Sequence, residues 1–142
     1  MRRAGFTLIE LLVVIAIIAM LSTLSVVSLN SARVRSRDTR RLADVRQIQT
    51  ALEMYASNKS DGQYPIAEMA TSIDGFCLGS EGFASSCASL IFMKKIPNDP
   101  RPNTNHYVYS SDGMSYNINY WLEDKIGSSG PGKATATPGS IQ

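Results

Sequence analysis

Phe6-Thr7-Leu8-Ile9-Glu10-Leu11-Leu12-Val13-Val14-Ile15-Ala16-Ile17-Ile18-Ala19-Met20-Leu21-Ser22-Thr23-Leu24-Ser25-Val26-Val27-Ser28-Leu29 is a run of 24 residues with a single charge, Glu10. About 20 apolar residues in a helix rising roughly 1.5 Å per residue cross the hydrocarbon core of a bilayer. The rest of the 142-residue chain is too small to surround such a helix inside a soluble core. The run therefore reads as a membrane-spanning helix. A cleaved secretory signal is the structural rival, with a basic start, a shorter apolar stretch and a small-residue cut beyond it. Arg2 and Arg3 supply the basic start, but the small residue that offers a cut is Gly5, before the apolar run. A cut there keeps the hydrophobic segment on the mature chain. Glu10 then stands four residues from a new α-amino group on Phe6. It is either wet or protonated near an interface, or matched to a positive partner within the chain or in a neighbour, and a buried pair of that kind is far stronger than a surface one.

Working outward, Asn30 marks a change of composition. Between 31 and 46 stand Arg33, Arg35, Arg37, Arg40, Arg41 and Arg46 against Asp38 and Asp44, and nothing from 31 to 57 is Gly or Pro. Leu42, Val45, Ile48, Gln49, Leu52 and Tyr55 recur at three and four, the period of a one-sided amphipathic helix. Asn58-Lys59-Ser60-Asp61-Gly62 supplies the stop. A helix from Phe6 to Ser57 spans about 75–80 Å, so its outer half must leave the membrane and pack on something. The arginines admit three readings: a solvated face, contact with lipid headgroups, or salt bridges between subunits. DNA binding is a fourth use of the same charge. A net charge of +2 does not by itself imply nucleic acid. The cluster also runs against the positive-inside rule, which places the arginine-rich side in the cytoplasm.

The signal Arg2-Arg3-Ala4-Gly5 followed by Phe6 through Ile18, with Glu10 inside it, resembles the prepilin cleavage and methylation signal of type IV pilins and type II secretion pseudopilins. The resemblance covers about the first 30 residues. It implies a leader removed after Gly5 by a membrane prepilin peptidase, N-methylation of Phe6 by the same enzyme, and assembly of the helices into a filament core by machinery with a cytoplasmic ATPase. It also implies that Glu10 pairs with the terminal amine of an adjacent subunit. Many pilins carry a Gly and a Pro inside this helix, whereas 19–27 has neither.

The remaining sequence reads as a small head. Cys77 and Cys87 form an even pair, which in an exported domain predicts a disulfide adding about 2–3 kcal/mol; two buried thiols are the alternative. Ser89 to Lys95 reads as a short helix ended by Pro97, and Pro97-Asn98-Asp99-Pro100 as a turn. His106–Ser110 and Ser115–Glu123 read as two strands joined by Ser111-Asp112-Gly113-Met114, with Tyr116, Ile118, Tyr120 and Leu122 on the inward face. Two strands are marginal alone, so the Leu42–Tyr55 face should complete the core. The composition after Lys125, rich in Gly, Ser, Ala and Thr, predicts a flexible tail.

The expected fold class is α+β and type IV pilin-like: a long N-terminal helix packed against a small antiparallel hairpin or sheet. The expected organisation is a leader over 1–5, a transmembrane or filament-core helix over 6–30, its amphipathic continuation over 31–58, a head over 59–126 and a flexible tail over 127–142. The expected function is a structural subunit of a type IV pilus-like filament. The alternatives are a type II secretion pseudopilin and a minor or competence-type pilin binding DNA, with Tyr107, Tyr109, Tyr116, Tyr120 and Trp121 available to stack on bases.

The expected partners are further copies of the chain, the prepilin peptidase, the assembly machinery and the membrane before assembly. The precursor is then a single-pass inner-membrane protein with its head outside the cytoplasm, destined for an extracellular pilus or a periplasmic pseudopilus. No cofactor is implied. Pseudopilins often bind calcium through an acidic C-terminal loop, but the last 18 residues hold no Asp or Glu, so no metal site is expected. One His and two Cys leave too few ligands for a four-coordinate zinc site. An enzyme would have to draw on His106 with Asp112 or Asp99, which show no catalytic spacing.

Overall fold

The computed structural model describes residues 5–125 and 130–141. Helix α1 runs from Leu8 to Asn58. By contact density the chain divides into two units, 1–35 and 36–142. In the first, the described side chains from Gly5 to Arg33 are exposed on every side of the helix. Three of the hydroxyls that interrupt its apolar surface are turned back onto the backbone: Ser22 Oγ donates to the Ile18 carbonyl at 2.7 Å, Thr23 Oγ1 to Met20 at 2.8 Å and Ser25 Oγ to Leu21 at 2.9 Å. Such back-bonding hides a hydroxyl from an apolar solvent at little cost to the helix. Residues 19–27 accordingly remain helical.

The second unit is an α+β head. Its five-stranded antiparallel sheet has the order β1 (Ala67–Ser72), β5 (Val108–Ser111), β6 (Tyr116–Leu122), β7 (Gly132–Thr137), β8 (Ser140–Ile141). A three-stranded sheet has the order β3 (Gly82–Ala84), β2 (Cys77–Gly79), β4 (Ile91–Met93). The period-two pattern of β6 aims Tyr116, Ile118, Tyr120 and Leu122 inward, and all are buried. They share a core with Val45, Ile48, Leu52 and Tyr55 of the amphipathic helix stripe.

Three expectations are corrected. The first is the flexible tail over 127–142: its described residues, 130–141, form β7 and β8. Ala134 and Ala136 are buried opposite Tyr120 and Ile118, so small side chains face large ones across the ladder. Pro138 and Gly139, the latter at φ 73°, close the hairpin to β8, where a Pro-Gly pair suits a type II turn. Residues 127–129 and 142 lie outside the described residues. The second is the helix over Ser89–Lys95, which is instead β4, paired as Leu78↔Met93 and Gly79↔Ile91. A short apolar run does not distinguish helix from strand by period alone. The Cys77–Cys87 disulfide draws its chain alongside β2. A Cβ at Gly79 would stand 3.2 Å from Cys87 Sγ and 3.4 Å from the Leu90 carbonyl, so glycine lets the two segments lie this close without the disulfide having to give way. The third is the solvated reading of the arginine cluster, which fails at Arg41.

Arg41 lies on the buried stripe and is 0% exposed. Its Nε and Nη2 donate to Asp99 at 2.7 and 2.9 Å, and its Nη1 to Asp38 at 2.6 Å and Glu123 at 2.8 Å. Burial alone would depress its pKa, but the three carboxylates more than offset this and hold the guanidinium above its usual value. Arg37 grips both Glu123 oxygens at 2.7 and 2.6 Å, and Asp38 accepts the backbone N–H groups of Glu123 and Asp124. One charge network thus joins the helix to the end of β6 and to the irregular segment 97–100. Behind it, Asp44 accepts the Tyr107 hydroxyl at 3.0 Å; burial raises the Asp44 pKa against the opposing effects of that bond and of Arg40.

Removing Arg41 would strand buried carboxylates. Arg41→Met is expected to destabilise the head by about 3–5 kcal/mol in urea unfolding of the full chain, whereas Arg40→Met, which removes an exposed guanidinium 3.8 Å from Asp44, should cost under about 1 kcal/mol. Arg37, with help from Arg41 and against the cost of burial, lowers Glu123 from 4.5 to about 2. That stabilisation is complete above the unfolded value and is lost as pH falls from about 4.5 toward about 2. Glu123→Gln should therefore flatten the acid limb of a stability–pH curve across that window.

Candidate functional site

The start of α1 is built by its own first residues. Thr7 precedes the helix; its backbone N–H and its hydroxyl donate to Glu10 Oε2 at 2.8 and 2.6 Å, and Glu10 N–H donates back to Thr7 Oγ1 at 3.3 Å. This is a capping box, in which Thr and Glu three residues apart satisfy each other's backbone donors. Leu11 N–H then closes the first turn onto the Thr7 carbonyl at 3.3 Å. Glu10 therefore has a local partner in the single chain besides any charged one, and Thr-x-x-Glu before an apolar run is its signal in the sequence.

The junction itself is open. Phe6 is 81% exposed, and an added Cβ at Gly5 would meet nothing within 4 Å. Internal packing thus does not require glycine at position 5. Residues 1–4, with Arg2 and Arg3, lie outside the described residues. Beyond the junction, α1 contains a window of mean hydropathy 2.7 with none of it buried, long and apolar enough to cross a membrane.

Residues 1–26 match the model of the prokaryotic N-terminal methylation motif. The chain carries a type IV prepilin-type signal. Neither a curated protein nor a solved structure matches it. The prepilin-type signal indicates a pilin-like or pseudopilin precursor and implies processing by a prepilin peptidase and a filament-forming role. Together with the exposed apolar helix it fits a membrane-anchored precursor and points to a structural subunit.

The other candidates fall into different places. Cys77 and Cys87 are bonded to each other. His106 meets neither Asp112 nor Asp99: its Nδ1 lies 2.8 Å from Asp74 Oδ2. Asp99 is spent on Arg41, and Asp112 accepts the N–H groups of Met114 and Ser115 in the β5–β6 turn. Tyr107, Tyr109, Tyr116 and Tyr120 are core residues and offer no face to a base, while Trp121 is half-exposed.

Thr7→Val removes the hydroxyl half of the capping box while keeping the side-chain shape. It is expected to speed amide hydrogen exchange at Glu10 and Leu11 in micelles and leave exchange at Ile48 and Leu52 unchanged. Equal protection at the first turn in both proteins would remove the capping role.

Proposed function

We propose that the chain is a prepilin cut after Gly5, N-methylated on Phe6 and assembled through α1 into a type IV pilus-like filament. The observation that carries this reading is the prepilin-type signal, with its Gly5–Phe6 junction exposed ahead of a helix that is apolar on all sides. Such a surface has two favourable environments, lipid before assembly and other apolar helices after it. The head, with its internal disulfide and satisfied charge network, is a folded body carried on that helix.

In the proposed assembly Glu10 exchanges its capping role for the α-amino group of Phe6 in an adjacent subunit. The cut creates that amine, so processing and assembly are coupled: an uncut chain lacks the cation that would neutralise Glu10 among apolar helices.

Intact mass and N-terminal fragmentation of protein from a sheared cell-surface fraction test the reading directly. A chain beginning at methylated Phe6, abundant in that fraction, is the expected result. A processed chain confined to the envelope would favour a secretion pseudopilus, and an unprocessed chain starting at Met1 would overturn the proposal. Gly5→Arg should accumulate as a full-length membrane precursor. Glu10→Ala should still be cut but yield few filaments; a normal filament yield would end the pairing role of Glu10.

A further inference from the structure

The inward face of β6 is fully used by the core, but its outward face carries a feature that neither the fold nor the filament reading employs. Trp121, the single tryptophan of the chain, is 48% exposed on that face. Across the ladder it is paired with Lys133 of β7, and Asn119, two residues earlier on the same face, is paired with Thr135. His106, two residues before Val108 on the neighbouring strand, completes the rim with Thr104 and Asn105 around a depression of about 190 Å³. Several of these groups are held in place. Asn119 Oδ1 accepts the Thr135 hydroxyl at 2.9 Å, and Asp74 holds His106 at 2.8 Å while also accepting the Tyr107 N–H. Nδ1 is thereby occupied by that carboxylate, which leaves Nε2 as the ring atom able to hydrogen-bond a ligand. Lys133 has no ion-pair partner among the described residues.

We infer that this depression is a binding site for an acidic saccharide, one uronate-type sugar ring stacked on Trp121 with its carboxylate on Lys133. Among the described residues the lining contains no carboxylate; the nearby Asp74 is engaged by His106 and the Tyr107 N–H, so Lys133 is the charge offered to a ligand. The indole offers a flat apolar surface of the kind that the C–H face of a pyranose covers. Around it, amides, a hydroxyl and an imidazole provide the mixture of donors and acceptors that sugar hydroxyls need. A volume of about 190 Å³ suits one ring rather than an extended chain. Single-stranded nucleic acid fits less well: a strand needs a basic groove that tracks several phosphates, whereas among the described residues the single lysine lining this depression is Lys133.

The site lies within the head and does not depend on filament assembly, so full-length chain in a zwitterionic detergent is the proper sample. Trp121 is its own reporter, and a short oligogalacturonate is the probe, compared with its methyl ester and with a short oligothymidylate. Saturable quenching by the oligogalacturonate is expected, with about tenfold or more weaker binding for the methyl ester and for Lys133→Gln, and no change for Lys59→Gln. By calorimetry, Trp121→Ala should abolish binding while leaving the thermal transition in place. Absence of saturation with oligogalacturonate, equal affinity for the ester, or tighter binding of oligothymidylate would each overturn the inference.

Discussion

The guanidinium of Arg41 is the fixed point around which the head is organised. It is fully buried, and a buried cation is tolerable only when its donors are matched by anions in good geometry. Asp38 supplies one from the same helix, Asp99 two oxygens from the irregular segment 97–100, and Glu123 one from the residue after β6. The four groups are mutually dependent: moving the turn, the strand end or the helix by one residue would leave a desolvated charge without a partner. The apolar stripe from Val45 to Tyr55 supplies the area that drives burial, but it would tolerate sliding. The network specifies one register of helix against sheet.

The first 35 residues obey a different constraint. Their helix has no protein surface to satisfy it, so it satisfies itself: Thr7 and Glu10 cap its start, and Ser22, Thr23 and Ser25 return their hydroxyls to the preceding turn. From Leu11 to Val26 what remains outside is almost wholly hydrocarbon. This suits a segment proposed to pass from lipid into a bundle of identical helices, since both surroundings refuse unpaired polar groups. Glu10 is the residue whose partner would change between the two. A single carboxylate can cap its own helix in one state and meet a terminal amine in the other.

Much of the architecture was legible because the relevant signals are local and repetitive. The span from Phe6 to Leu29 declares a helix by its unbroken apolar length, while the stripe at Leu42, Val45, Ile48, Leu52 and Tyr55 and the alternation Tyr116, Ile118, Tyr120, Leu122 declare theirs by period. The fate of 130–141 was hidden because Ala134 and Ala136 carry little hydrophobic signal; they matter through fitting beneath Tyr120 and Ile118 of a strand elsewhere in the chain. The strand at Ile91–Met93 was hidden for a related reason, since its partner β2 is brought alongside by the disulfide and by the missing side chain at Gly79.

The sequence by itself determined the prepilin-type signal over residues 1–26, the apolar helix and its amphipathic continuation, because these depend on residue order along one segment and need no distant partner. Only the tertiary structure decided which of six neighbouring arginines is buried, since Arg41 differs from Arg40 solely in facing Asp38, Asp99 and Glu123. It likewise decided that His106 answers to Asp74 and that Trp121 stands outside the core beside Lys133. These are properties of residues dozens of positions apart. Their meeting follows from how the strands pair and how the helix lies on them, which no local pattern encodes.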